Sequence, residues 1–334
     1  MIYLALSVTL CVAPAAVIWA DTDAASEASR AWPGPGRPHL PDSALVTVVP
    51  FRLTTQPDTG FILLSVEIDG HPGTVLLDTG CPFFYLNRQY MPPDHVGPSV
   101  GAITQSGESV VPWFVHTLHI GTLVQHYDST RAETPLAPGQ PVGVNAVIVS
   151  AAQDERLQQF GRPILAFLGL PALAPFETII DYAHQRLLLI RLDAAGHRLA
   201  PVPGYTPTTT LPLSLLHQQY YGVAVEAGGR HGNLIIDTGA PENSINASTQ
   251  HGLGSHLTGT GRTDVWDHPL LLLDSLAVDG HAYPAVPFSA QGASTRIPYS
   301  LLGYPFLKLL SQQGAVGFNL RAHQLVVYHP SSGT

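Results

Sequence analysis

The feature that most constrains this chain is that part of it is written twice. Val66-Glu67-Ile68-Asp69-Gly70 leads through Thr74-Val75-Leu76-Leu77 to Asp78-Thr79-Gly80-Cys81-Pro82. Val225-Glu226-Ala227-Gly228-Gly229 leads through Asn233-Leu234-Ile235-Ile236 to Asp237-Thr238-Gly239-Ala240-Pro241. An offset of 159 positions carries Val66, Glu67, Gly70, Gly73, Asp78, Thr79, Gly80, Pro82 and Asn87 onto identical residues without a gap. A repeat of this kind implies two like units, each with one carboxylate at an equivalent place. That is how a two-fold-related acid pair is built.

A further Asp-Thr-Gly, Asp58-Thr59-Gly60, follows the polar, proline-containing Thr55-Gln56-Pro57 and reads as a turn. Asp78 and Asp237 instead end apolar runs that read as buried strands. The aligned pair therefore carries the chemistry, and Asp58 does not.

The 334 residues suit two modest domains, and a 45% hydrophobic content is enough for real cores. Charged residues make up 12% of the chain, its net charge is −9, and Lys308 is the only lysine. The net charge and the lack of basic clusters argue against nucleic acid and anionic membranes as partners.

Residues Ile2 to Ala20 are apolar or small and uncharged, and Asp21 opens a polar stretch. Residues 1–20 read as a secretory signal peptide that exports the protein to the periplasm or medium; the alternative is a membrane anchor at residues 2–20. Residues 21–43 read as a disordered leader. Once a signal is removed, Cys81 is the sole thiol, which leaves no intramolecular disulfide. Standing next to Gly80 and matched by Ala240, it reads as a small buried side chain rather than a nucleophile.

Beyond the leader the pattern is all-β. Short apolar or alternating runs recur over Ala44–Leu53, Phe61–Ile68, Val110–Ile120, Gln219–Val225 and Leu270–Val278, punctuated by glycine, proline, aspartate and serine. The Pro/Thr/Gly-rich stretch 197–210 reads as a linker between units at 44–196 and 211–329. A second repeated element closes each unit: Phe167-Leu168-Gly169-Leu170-Pro171 before Thr178-Ile179-Ile180-Asp181-Tyr182, and Leu301-Leu302-Gly303-Tyr304-Pro305 before Val316-Gly317-Phe318-Asn319. Two apolar residues and a glycine suit a buried strand passed closely by another backbone, then a short helical turn and a terminal hairpin.

With these motifs the chain resembles the retropepsin-like aspartic peptidases, in the bacterial-type form with two tandem units in one chain. The resemblance spans both halves. It rests on apolar-apolar-Asp-Thr-Gly-Cys/Ala (Leu76–Cys81, Ile235–Ala240), the later apolar-apolar-Gly, and the closing Thr178-Ile179-Ile180-Asp181-Tyr182 with Arg186-Leu187-Leu188. It implies closed β units related by a pseudo-two-fold axis where the two loops meet. It also implies catalytic Asp78 and Asp237, supported by Thr79, Gly80, Thr238 and Gly239, with the threonines bonding across the axis. Cys81 and Ala240, where pepsin-type enzymes carry Ser or Thr, place the chain nearer the retropepsin side. Pro82 and Pro241 depart from the pattern by removing backbone N–H groups that family members use to hold substrate.

Peptide hydrolysis without metal or covalent intermediate needs a base for water and an acid for the carbonyl oxygen. Two adjacent carboxyls sharing one proton supply both. Flap candidates are Gly107 with Trp113, and Gly259 with Trp266. His116, His119 and His126 lack the ligand set of a metal site, so no metal or cofactor is expected. The implied protein is a monomeric, exported aspartic endopeptidase acting on peptides or proteins, without stable membrane contact once the signal is cleaved. A catalytically idle peptide-binding or structural relative is the alternative.

Overall fold

The computed structural model describes residues 44–54, 60–82, 84–87, 111–113, 115–126, 147–150, 164–217, 219–262, 268–291 and 299–331. Residues 1–43, which contain the expected signal, anchor and leader, lie outside that set, as do Asp58, Gly107 and Trp266. The structure is predominantly β. Among the described residues no helix is long and apolar enough to cross a membrane.

The repeat in sequence is a repeat in hydrogen bonding. In the first half, strands Ile62–Ile68 and His71–Leu77 pair antiparallel with Leu63 opposite Leu76 and Val66 opposite Gly73. In the second, Tyr220–Ala227 and Arg230–Ile236 pair with Gly222 opposite Ile235 and Val225 opposite Gly232. Each of these residues is the other's counterpart at the same offset. Both hairpins close in two residues at positive φ, Asp69 and Gly70 at 48° and 82°, Gly228 and Gly229 at 55° and 69°. That geometry matches the right-handed twist of paired strands and explains the repeated glycine at Gly70 and Gly229.

Each hairpin's second strand then pairs parallel with the apolar-apolar-Gly strand. Leu76 and Leu77 lie beside Phe167 and Leu168; Ile235 and Ile236 lie beside Leu301 and Leu302. The expected helical turns follow as Leu170–Leu173 and Tyr304–Leu310. The first half forms a nine-stranded sheet and the second an eight-stranded one. The run Val110–Ile120 divides into strands Val111–Trp113 and Thr117–Ile120. At the break Asp69 Oδ1 accepts the N–H groups of His116 and Thr117 at 2.8 and 2.7 Å.

The third sheet belongs to both halves. Its six strands run Val46–Pro50, Arg186–Arg191, Phe176–Asp181, Ala315–Asn319, Gln324–Pro330, Tyr205–Pro212. At its centre Phe176–Asp181 and Ala315–Asn319 pair antiparallel, Glu177 opposite Asn319 and Ile180 opposite Val316. Both strands are buried throughout, as expected of a sheet covered on both faces. This corrects the reading of 197–210 as a linker, because Tyr205–Thr210 belongs to an edge strand paired with Gln324–Pro330. The threonines there are β-branched and favour strand. Pro207 is tolerated because an edge strand has one unpaired side, and the register slips beside it.

Two networks tie the halves together across this sheet. Arg198 binds the fully buried Glu177 carboxylate in bidentate fashion, and the Tyr328 hydroxyl donates to the same carboxylate. Asp181 accepts from His184 N at 3.0 Å, Arg186 Nη2 at 2.7 Å and the Tyr205 hydroxyl. One apolar core cluster runs continuously from Val49 in the first half to Leu325 in the second.

Candidate active site

Asp78 and Asp237 end parallel-paired strands, so each is fixed from behind by its neighbour. Asp78 N–H donates to the Leu168 carbonyl and Asp237 N–H to the Leu302 carbonyl, both at 3.0 Å. Each loop then closes on itself: Cys81 N–H donates to Asp78 O and Ala240 N–H to Asp237 O, both at 3.2 Å. Gly80 N–H donates to Asp78 Oδ1 at 3.0 Å, and Gly239 N–H to Asp237 Oδ1 at 2.8 Å.

The two loops lock through their threonines. Thr79 N–H donates to Thr238 Oγ1 at 2.9 Å, and Thr238 N–H donates to Thr79 Oγ1 at 3.0 Å. Each hydroxyl passes its own hydrogen on, Thr79 to the Ile236 carbonyl at 3.0 Å and Thr238 to the Leu77 carbonyl at 2.9 Å. The four bonds are buried and reciprocal, and they cross from one half of the chain to the other.

The glycines let the carboxyls meet. A Cβ on Gly80 would fall 2.3 Å from the carboxyl carbon of Asp237, and one on Gly239 would fall 2.5 Å from that of Asp78. No side chain fits either gap, so each glycine is required by the opposite half's acid. The two carboxyl groups are in hydrogen-bond contact and almost out of solvent, Asp78 at 7% and Asp237 at 3% exposure. Burial pushes the Asp78 carboxyl well up, and the adjacent Asp237 charge and hydrogen bond push it further. Burial also raises Asp237, but the hydrogen bond from Asp78 and the N–H groups of Gly239, Gly80 and Ala240 oppose it. The pair thus holds one proton between two oxygens that cannot both stay ionised so close together.

The structure therefore brings Asp78, Thr79, Gly80, Asp237, Thr238 and Gly239 into one cluster. Of the flap candidates, Gly107 and Trp266 lie outside the described residues. Trp113 ends the strand Val111–Trp113, and a Cβ on Gly259, in the exposed strand Leu257–Arg262, would meet nothing within 4 Å. Among the described residues no group of three His, Cys, Asp or Glu could hold a metal ion. Cys81 is fully buried. Among the described residues there is no free cysteine; Cys11, the chain's other cysteine, lies outside them.

Two residues at the site had no clear mark in the sequence. Asn243 accepts Gly303 N–H at 2.9 Å and donates to the Pro287 carbonyl at 2.9 Å, which pins the strand whose Leu302 carbonyl holds Asp237. Its counterpart is Phe84, so the repeat gave no hint of it. Gly303 confirms the expected close backbone approach, since a Cβ there would lie 2.5 Å from the Ala240 carbonyl oxygen. Tyr220 is buried against Ile235, Ala240 and Leu301, within electrostatic reach of both carboxyls. Only its departure from Phe61 at the same offset could have flagged it. Compared with known proteins, the chain matches no family model and no curated protein.

Proposed function

We propose that this protein is an exported aspartic endopeptidase with two tandem retropepsin-like units, hydrolysing peptide bonds with the Asp78–Asp237 dyad. The observation that carries the reading is the pair of acids in hydrogen-bond contact, each fixed by the same loop and joined by reciprocal threonine bonds. Two buried adjacent carboxyls cost stability, and a fold that only binds peptide has no use for them.

The chemistry follows from the shared proton. The ionised carboxylate takes a proton from water as its oxygen attacks the peptide carbonyl carbon, while the protonated carboxyl gives its proton to the carbonyl oxygen. This forms a neutral tetrahedral diol and leaves one proton on the dyad. Collapse returns a diol proton to a carboxylate, passes a proton to the amide nitrogen and breaks the C–N bond. The dyad ends as it began, with one proton. The apolar run before Asp21 supports action outside the cytoplasm, on extended peptide or protein substrates, by a monomer.

The test is cleavage of a peptide library by the full chain and by Asp78→Asn, Asp237→Asn and Asp58→Asn. Each dyad variant is expected to lose several orders of magnitude in kcat while folded, roughly the scale seen when a unit-acting catalytic group is removed. Asp58→Asn should cleave normally. A folded dyad variant that keeps more than a few per cent of turnover would overturn the assignment. Peptide binding by wild type without cleavage would favour the idle binding relative.

A further inference from the structure

Among the described residues, the large apolar side chains left open to water are Leu45, Val48 and Leu199, at 46%, 48% and 49% exposure. All three lie at one edge of the six-stranded sheet. Arg191 N–H donates to the Leu45 carbonyl at 2.9 Å, and the Arg191 carbonyl accepts Leu199 N–H at 2.8 Å, so the two leucines meet over one residue. Val48 follows in the edge strand Val46–Pro50. Scattered exposed leucines are ordinary; a cluster of them marks a contact surface.

The backbone of that strand is open as well. It pairs with Arg186–Arg191 in an unbroken antiparallel register, Val46 opposite Ile190 and Val48 opposite Leu188. Leu45 bonds to Arg191 and Phe51 to Gln185, so alternation turns the backbone groups of Thr47 and Val49 toward the sheet. Val46 and Val48 therefore point their N–H and C=O groups away from it, and nothing among the described residues bonds them. Other edges are blunted. Tyr205–Pro212 carries Pro207 and a register slip, and Leu257–Arg262 slips between Gly259 and Gly261. Val46–Pro50 has no slip and no charge, and its proline stands at the far end.

We propose that this edge docks a second copy of the chain, the two Val46–Pro50 strands pairing antiparallel about a two-fold axis at Thr47. Val46-Thr47-Val48 reads the same in both directions, so Val46 of each copy meets Val48 of the other and each outward N–H finds an outward C=O. The bonds so made continue the sheet that already joins the two halves of the chain. An uncharged strand meets its copy without repulsion. Leu45 and Val48 stand on opposite faces of the strand, so a partner strand covers both. Thr47 stays out of the way, buried, with its hydroxyl accepting Thr122 N–H at 3.2 Å. The residues just before the strand make a poor occupant, because Pro33, Pro35, Pro38 and Pro41 have no N–H to give a ladder. Each copy holds both acids of its own dyad. The unit that cleaves therefore remains one chain, and pairing can hold or fail whatever the dyad does. A contact through one short strand is small, which sets a dissociation constant between about 1 µM and 1 mM.

The experiment is sedimentation equilibrium of the full chain from about 1 to 500 µM, with amide hydrogen exchange read at Val46 and Val48 over the same range. The mass should rise from one copy to two and stop there, and both amides should slow as it rises. Val48→Lys places a charge on each side of the pair and should weaken it about tenfold or more. Val48→Pro removes an N–H that bonds nothing within the chain, and should weaken pairing by a second route while the melting temperature holds. Thr210→Lys, which puts the same charge on the exposed face of the opposite edge strand, should pair like wild type. A single copy throughout the range, or an association that survives both Val48 variants, overturns the proposal. So does slow exchange at Val46 and Val48 that is independent of concentration, because the chain would then cover its own edge.

Discussion

Replacing Thr79 with valine should weaken the fold and the chemistry together, by amounts the structure allows to be worked out. The side chain keeps its shape but loses a hydroxyl that accepts from Thr238 N–H and donates to the Ile236 carbonyl. Both stranded groups belong to residues that are 1% exposed. Each buried group left unpaired costs about 1–3 kcal/mol, so the expected loss is about 2–5 kcal/mol after the relief of burying one hydroxyl fewer. Thr238→Val should cost a similar amount, because it strands Thr79 N–H and the Leu77 carbonyl. Thr178→Val is the internal control: Thr178 is fully buried, but its hydroxyl has no partner among the described residues. Removing that hydroxyl should be neutral or stabilising by up to about 2 kcal/mol. Urea unfolding of the three variants gives the comparison, read from midpoints at constant slope. In the fraction that remains folded, looser loops should lower kcat about 10–100-fold, the scale of an ångström-level misplacement. Equal costs for Thr79→Val and Thr178→Val, or full activity in Thr79→Val, would refute the claim that these four bonds hold the dyad.

Gly239→Ala should abolish cleavage even where the chain folds, because its methyl would sit 2.5 Å from the Asp78 carboxyl carbon; kcat of purified folded variant measures it. Asp78→Asn should unfold at higher temperature than wild type at pH 8. A carboxyl raised by burial and a neighbouring charge gives stability that is fully present below its unfolded pKa and lost as pH rises through the folded one. The opposite sign holds at Asp181, where burial raises the carboxyl but hydrogen bonds from Tyr205, Arg186 and His184 outweigh it and leave it lowered. Its contribution should be present above about pH 4 and lost as pH falls through the lower folded value, so Asp181→Asn should flatten the acid end of a melting-temperature profile. Arg198→Met should destabilise by about 3–5 kcal/mol in urea, since it leaves the fully buried Glu177 without its guanidinium.

What could be read from the sequence was local or repeated. The offset at Asp78 and Asp237 carried the equivalence of the two acid-bearing strands and the expectation of one acid pair, because a repeat is visible in sequence whatever the distance between its copies. The shared sheet was not legible. Glu177 pairs with Asn319 and Tyr205 with Pro330, across distances that leave no periodicity in either segment. Tyr205–Thr210, the start of an edge strand, was read within the 197–210 linker because proline and threonine mark turns as readily as edge strands. Helix Ala247–Leu253 is absent from the sequence reading although it carries a side-chain cap, Asn246 Oδ1 accepting Thr249 N–H at 2.8 Å. Tyr220 and Asn243 were missed for the reason that the dyad was found. Search by repetition finds what the halves share and passes over what distinguishes them.

The central claim is that one proton shared by Asp78 and Asp237 performs both proton transfers, and the pH dependence of kcat/KM on a cleaved library peptide tests it most directly. The account predicts a bell on the acid side of neutral, with its upper limb roughly between pH 5 and 7, where the second proton is lost. A statine-type transition-state mimic should compete with substrate and bind best over the same range, while chelators leave the rate unchanged. A rate that keeps rising through pH 8, or a bell that survives in Asp237→Asn, would contradict it.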